Sequence, residues 1–252
     1  MIATVETHTS SFTAAEWKVR VELAALYRLF AHYGWTDLIY THLTARVPGE
    51  EGCYLINPYG LMFDEITASS LLKVDYDGRV LSGAHPYNEA GHLIHSAVLK
   101  ARPDIDFVLH SHTRAGIAVS AMACGLLPLS QHAMGVRGQV AYHPYQDVTS
   151  AADECAKLAG DLGDKYLMIL HNHGLLACGR SAAEAFCYHY DLEMACKVQV
   201  DVLQSDTETL QPPAPVVEGL KAWGDPGPEP KGAMEWAALV RLLERKDPSF
   251  KT

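Results

Sequence analysis

The sequence predicts an α/β fold in which helices cover a sheet. Segments of helical period and short β-prone runs alternate along the whole chain, which marks mixed layers rather than a bundle or a sandwich. No internal repeat interrupts them. The chain has 252 residues, 48% of them hydrophobic, enough for one large domain with a real core.

The first helix spans 14–33, with Val19, Leu23, Leu26, Leu29 and Phe30 near helical spacing and Gly34 as its stop. Residues 38–47 and 53–56 read as β-prone runs around the turn Pro48-Gly49-Glu50-Glu51-Gly52. Asn57-Pro58-Tyr59-Gly60 is a second turn, and 71–74 with 79–81 form a hairpin about Asp77-Gly78. A helix follows at 88–101, ended by Arg102-Pro103-Asp104. A buried strand at 107–109, a helix at 113–124 closed by Gly125, a strand at 139–142 and a helix at 150–162 come next. Strands at 166–170 and 175–177 flank Asn172, His173 and Gly174. Residues 181–203 form a long helix, with Ser181 as N-cap and Glu184 completing a capping box. From 205 to 231 six prolines rule out regular structure, and a last helix covers 234–245. Such a tail is either an arm over a neighbouring subunit or a loose linker. Residues 1–12 read as a disordered arm, 13–204 as the main domain, and 205–252 as a linker plus helix.

The formal net charge of −10 argues against a nucleic-acid surface and against anionic membranes. No run of about 18 apolar residues is present, so no transmembrane helix is expected. The N-terminal residues lack a secretory pattern. Six cysteines (53, 124, 155, 178, 187 and 196) form no C-x-x-C pair and sit among apolar neighbours, as reduced buried thiols do. The cytoplasm is the expected compartment.

Thirteen histidines dominate the functional reading. A lone histidine is most often a hydrogen-bonded core or surface residue; the clusters change this. His110 and His112 follow the apolar run Phe107-Val108-Leu109, and alternate strand residues point to one face, so both imidazoles project together. His171 and His173 end a second apolar run, Leu167-Met168-Ile169-Leu170. Two strand ends carrying histidine pairs can deliver three or four ligands to one divalent ion. Gly174 allows close backbone approach or a positive φ. Glu89 opens a helix, where the dipole stabilises a carboxylate. Alone it reads as an ordinary first-turn charge; beside a metal it is a ligand or a base.

These residues carry a resemblance to the class II aldolase/adducin family. The segments are DLIYTHLTAR (37–46), LINPYG (55–60), the stretch from Glu89 to Thr113 with ARPD and VLHSHT, and LHNHGLLACG (170–179), covering about 14–204 and a C-terminal DPSF (247–250). The resemblance implies a single three-layer α/β/α domain around a mixed, largely antiparallel sheet. It implies homotetramers with active sites at subunit interfaces. It implies metal ligands His110, His112 and His173, with Glu89 as acid/base. His171 has no assigned role, and His95 falls where relatives have a packing histidine. The implied cofactor is a divalent metal, Zn2+ by default, with Mn2+, Co2+ and Fe2+ open. The metal polarises an α-hydroxy or α-keto fragment of a small-molecule substrate, and the electrons of the broken C–C bond settle in an enolate.

The sequence departs from the sugar-phosphate aldolases of that family. Their Gly-Asn-x-Ser segment, Thr-Gly turn and Ser-Ser pair, which hold a phosphate, are matched by Thr41-His42-Leu43-Thr44, Tyr59-Gly60 and Tyr87-Asn88. Their proton-donating tyrosine falls near His132, which either replaces it as a catalytic residue or packs. The expectation is therefore a carbon–carbon lyase, by aldol cleavage or decarboxylation, on a hydroxy, keto or aromatic carboxylic acid, with Tyr59, Tyr87, His92 and His132 as pocket residues. The competing readings are a non-haem iron oxygenase and a non-catalytic adducin-like interaction module. Retention of Glu89 with all three histidines favours chemistry.

Overall fold

The computed structural model describes residues 12–145 and 151–252. Residues 1–11 of the expected N-terminal arm and Ser150, the expected start of a helix, lie outside the described residues. Phe12, the last residue of that arm, stacks on Trp17 and lies under the Arg20 guanidinium.

Among the described residues eight strands form one sheet: β1 (His42–Arg46), β2 (Cys53–Ile56), β3 (Leu72–Asp75), β4 (Val80–Ser82), β5 (Phe107–Ser111), β6 (Val140–His143), β7 (Leu167–Leu170) and β8 (Gly174–Gly179). Their order is β4-β3-β2-β1-β5-β8-β7-β6. Every neighbouring pair is antiparallel except β6 and β7. That parallel pair needs a crossover, which the helix α5 (Ala151–Leu162) provides.

The side chains of each strand alternate between two cores. Leu43, Ala45, Leu55 and Leu109 pack with the helix α1 (Ala14–Tyr33) and the start of a long helix, here labelled α6 (Ala182–Gln204). Tyr54, Ile56 and Val108 face the opposite way, into the core that holds Val98 and Leu99 of α2 (Glu89–Ala101). Helices thus cover both faces of the sheet. Local signals set the ends of these helices. Thr13 caps α1 and Gly34 leaves it in the left-handed conformation at φ 69. The Ser181 hydroxyl accepts from the Glu184 amide, but the Glu184 carboxylate turns to the Arg180 amide and guanidinium, so the capping box is only half formed.

Several expected boundaries move. The run 38–47 becomes a strand only from His42, because Leu38 and Thr41 take positive φ values of 49 and 68. The helix expected at 113–124 stops early as α3 (Arg114–Ser120), and a short α4 (Gln131–Val136) follows, whose six residues are too few to show a period. The proline-rich stretch does hold a helix, α7 (Ala214–Lys221). Pro213 sits at its N-cap and Pro215 in its first turn, where a missing amide donor costs nothing. After α8 (Ala233–Lys246) the chain end returns to its own domain: Phe250 is fully buried, its carbonyl accepts from the Ala68 amide, and Asp247 pairs with Arg28 at 2.9 Å. Of the six cysteines, Cys124 is exposed, against the expectation of burial, whereas Cys53, Cys178 and Cys196 are buried. Among the described residues no helix is long and apolar enough to cross a membrane.

One contact fixes how the two histidine-bearing segments meet. The β5–β8 register pairs Ser111 with Leu175, which sets His112 beside Gly174. Asn172, not the glycine, takes the left-handed conformation of the β7–β8 turn, at φ 55. Gly174 serves close approach instead: a Cβ there would lie 2.3 Å from the Ser111 carbonyl oxygen. We expect Gly174→Ala to destabilise the fold by about 1–3 kcal/mol in urea unfolding and to spread the two strand ends. A variant as stable as the parent would show that this approach is slack.

Candidate metal centre

His110, His112 and His173 come together, with one nitrogen from each lying within 4.8 Å of the others. His110 is buried on β5 and His112 follows the strand end; His173 stands in the β7–β8 turn. The outer nitrogens of the first two are fixed. His110 Nδ1 donates to the Leu175 carbonyl at 2.9 Å, and His112 Nδ1 donates to Asp37 Oδ2 at 3.0 Å. Both partners accept only, so they select the Nδ1–H tautomers and leave both Nε2 lone pairs bare. Those two Nε2 atoms are 2.9 Å apart.

Burial and the neighbouring imidazoles of His173, His42 and His112 hold His110 well below the ordinary histidine range. Burial, then the charge of His112, pushes His173 down to about 4. Lone pairs that face each other repel, and a shared cation removes the repulsion. The residues therefore fit a divalent ion. Imidazole nitrogens on one ion stand roughly 3–4 Å apart, close to the spacing present, and an outer-shell carbonyl and carboxylate behind two of them are the usual support for such ligands.

The trio lines a cavity of about 200 Å³ with Tyr40, Thr41, His42, Tyr145 and His171. Ile94, Leu158 and Leu170 form its apolar wall, and no Lys or Arg lines it among the described residues. His42 pairs in register with His110 across β1 and β5. It is buried, and burial followed by the neighbouring histidines holds it well below the ordinary range. Gly91 makes room for it, since a Cβ at Gly91 would lie 2.5 Å from the His42 ring.

Other expected residues are placed differently. Glu89 opens α2, and its carboxylate is exposed. Asn88, Ala90 and Gly91 of the same turn line the cavity, and Glu89 itself does not. His132 lies on α4 in a separate cleft with Asp191 and Lys231, so one chain does not bring it to the trio. His92 is spent on Tyr54, whose hydroxyl is 2.5 Å from its Nδ1, and Tyr87 donates to the Gly78 carbonyl. Tyr59, Tyr87 and His92 do not line this cavity. His95 is packed at the centre of α2 with its Nδ1 2.8 Å from the Thr44 hydroxyl. The residues that sequence reasoning did not assign to the cavity are Tyr40, Thr41, His42, His143 and Tyr145, together with Asp37, which stands behind His112. His143, which ends β6 as His110 nearly ends β5, and His42 two residues before Thr44 both carried a readable signal; Asp37 did not.

Burial of neutral histidines makes stability depend on pH. The unfolded chain binds protons near pH 6.5, whereas folded His173 does so only near 4 and buried His189 near 3. As pH falls from 7 toward 4 the unfolded state takes up protons that the folded state refuses. We expect the metal-free protein to lose at least about 1 kcal/mol of unfolding free energy per pH unit across that window. Urea titrations at pH 7, 6 and 5 read this; a flat profile would show these rings to be charged when folded.

Residues 21–200 match the family model of the class II aldolase and adducin N-terminal domain. The chain is 47% identical to a putative aldolase class 2 protein of Pseudomonas aeruginosa, over 95% of this chain and 94% of that one. It is 41% identical to alpha-adducin of Rattus norvegicus, over 93% of this chain but 34% of the adducin. Among solved structures it matches an aldolase II superfamily protein from Pseudomonas syringae at TM-score 0.93 and 46% identity, covering 98% of this chain and all of that one. It also matches an L-fuculose 1-phosphate aldolase from Glaciozyma antarctica at TM-score 0.78 and 27% identity, covering 96% of each.

Proposed function

Since this chain belongs to the class II aldolase and adducin family, we propose that it is a metal-dependent carbon–carbon lyase. Its substrate is a small hydroxy or keto carboxylic acid, broken by aldol cleavage or decarboxylation, with the ion on His110, His112 and His173. The observation that carries this reading is the pair of bare Nε2 atoms 2.9 Å apart, each fixed from behind by an acceptor. A divalent ion there, zinc by default, supplies a Lewis acid beside the bond that breaks.

The chain's own groups do the rest. Burial keeps His110 and His173 in the uncharged, ligating form at neutral pH. Asp37 and the Leu175 carbonyl hold two rings in place. Glu89, one residue before the cavity wall at Ala90, moves the proton at the carbon released by cleavage. A cavity of about 200 Å³ with apolar Ile94, Leu158 and Leu170 admits a compound of few carbons, and the want of Lys and Arg among the described lining residues disfavours a phosphate dianion. His132 serves the oxygen proton only from a second copy of the chain, as in a homotetramer whose sites lie between subunits. The compartment we assign is the cytoplasm.

The similarity to alpha-adducin supports a second reading, an interaction module that keeps the histidines without turnover. Metal analysis by mass spectrometry, on protein purified without chelator, tests the site. We expect about one transition metal per chain, lost in the His110→Ala/His112→Ala double variant. Metal-free protein that stays so on reconstitution would overturn the site. Screening the metal-loaded protein against hydroxy and keto acids should then show turnover that Glu89→Gln reduces by a factor of about 100 or more while metal content holds. Metal without turnover in the parent would favour the interaction module. Co-expression of Glu89→Gln with His132→Gln should restore part of the activity that each variant lacks alone. No restoration would confine each site to one chain.

A further inference from the structure

A second cleft, of about 760 Å³, opens beside the edge strand β6. Val140 and Tyr142 of β6 line it, whereas His143 of the same strand lines the histidine cavity. Alternate strand residues face opposite ways, so the two cavities lie on opposite faces of the sheet.

The charge of this cleft is unlike that of the molecule. The chain has 30 acidic and 20 basic residues, yet Arg137, Lys165 and Lys221 line the cleft and no carboxylate does among the described lining residues. The three cations come from three elements: a 3₁₀ turn at Arg137–Gln139, the approach to β7, and the last residue of α7. They converge on Gly138. The Lys165 ammonium donates to the Gly138 carbonyl at 2.6 Å, and a Cβ at Gly138 would lie 3.5 Å from Lys221 Cγ. Lys221 also pairs with Glu218 at 2.7 Å, but Glu218 does not line the cleft. Arg137 has no carboxylate partner among the described residues. Like charges gathered in one concavity repel, and a bound anion offsets that cost. The rest of the lining is largely apolar, with Met122, Leu126 and Tyr142. Tyr142 is fixed by its hydroxyl, which accepts from the Leu126 amide at 2.9 Å.

We propose that this cleft binds an organic phosphate, a small molecule that joins an apolar body to two or more phosphate charges. Arginine offers phosphate oxygens a planar fork, and the lysines offer point charges. Three cations match a diphosphate better than a single carboxylate. The volume exceeds that of a bare phosphate and falls within the range of small-molecule sites. Residues 41–44, 59–60 and 87–88, which match the phosphate-holding segments of the sugar-phosphate aldolases, do not line it. The site is thus separate from the substrate cavity, and the inference stands whether or not the trio holds an ion. His171 and Asn172 line the cleft, so its ligand rests against the turn that carries His173.

Calorimetry on the full chain, with ADP, pyrophosphate and adenosine as probes, tests this. Pyrophosphate lacks the apolar body and adenosine lacks the charge. We expect ADP to bind roughly tenfold more tightly than either. Arg137→Gln and Lys221→Gln should each weaken ADP by about tenfold at an unchanged thermal midpoint, since neither side chain is buried. Cys124 locates the ligand, because it is exposed and lines the cleft. Bound ADP should slow its alkylation, read by mass spectrometry of the peptide, and leave that of Cys187, in the His132 cleft, as it was. Pyrophosphate binding as tightly as ADP would overturn the proposal and reduce the cleft to unselective charge. ADP binding that survives Arg137→Gln, or that leaves Cys124 unprotected, would also overturn it and put the ligand elsewhere. No binding of ADP overturns it outright, and a Cys124 that fails to react in the free protein would then show the cleft covered by a second copy.

Discussion

The register of β5 between β1 and β8 is the constraint on which the rest depends. It sets His110 opposite His42 on one side and opposite Leu176 on the other. It carries His112 past the strand end to Gly174, whose lack of a side chain lets the β7–β8 turn fold His173 back over the same point. A slip by one residue would send His110 into the core beneath α1, because alternate strand positions face opposite layers. Strand pairing, a property of dozens of backbone and core atoms, thus fixes three imidazoles that are few in atoms and costly to place.

Much of this was legible in the sequence because it is local. Helix α1, with Thr13 before it and Gly34 after, needs only its period and its caps. The His110/His112 pair needs only the strand that precedes it. What escaped is what depends on neighbours distant along the chain. Leu38 and Thr41 belong to a run that favours strand by composition, and only the docking of Asp37 on His112 and of Tyr27 on Leu43 explains why it turns before His42. His92 reads as a pocket residue in the sequence, yet it is consumed by Tyr54, a partner 38 positions away. His132 is close in sequence to nothing that would reveal its separate cleft. The proline count after residue 205 misled for another reason: proline blocks a helix interior and not its first turn, and Pro213 and Pro215 stand at that turn.

The electrostatics explain how an acidic chain carries a site of this kind. With a formal net charge of −10 the molecule as a whole attracts cations. Within the cavity the polar side chains are mainly imidazoles and hydroxyls, and Asp37 lies behind His112 rather than in front of it. A cation bound there would be the dominant local charge, and it would orient the oxygen of a ligand without competition from lysine or arginine. The same burial that keeps His110 uncharged makes its bare nitrogen expensive to leave alone, so binding of the ion and stability of the strand ends are linked.

The relation to adducin sharpens what the fold can and cannot decide. Alpha-adducin is 41% identical over 93% of this chain, and a shared fold alone carries no reaction. What would make a lyase of this frame is a few groups at one end of the sheet: the trio proposed to hold an ion, the carboxylate at the start of α2, and the buried pair Thr41 and His42. These groups are costly for a module that only binds partners. A β-branched residue at positive φ lowers stability, and a scaffold gains nothing from it. That the histidine trio, Thr41 and His42 stand together at one cavity is the physical argument for a small-molecule ligand over a partner surface.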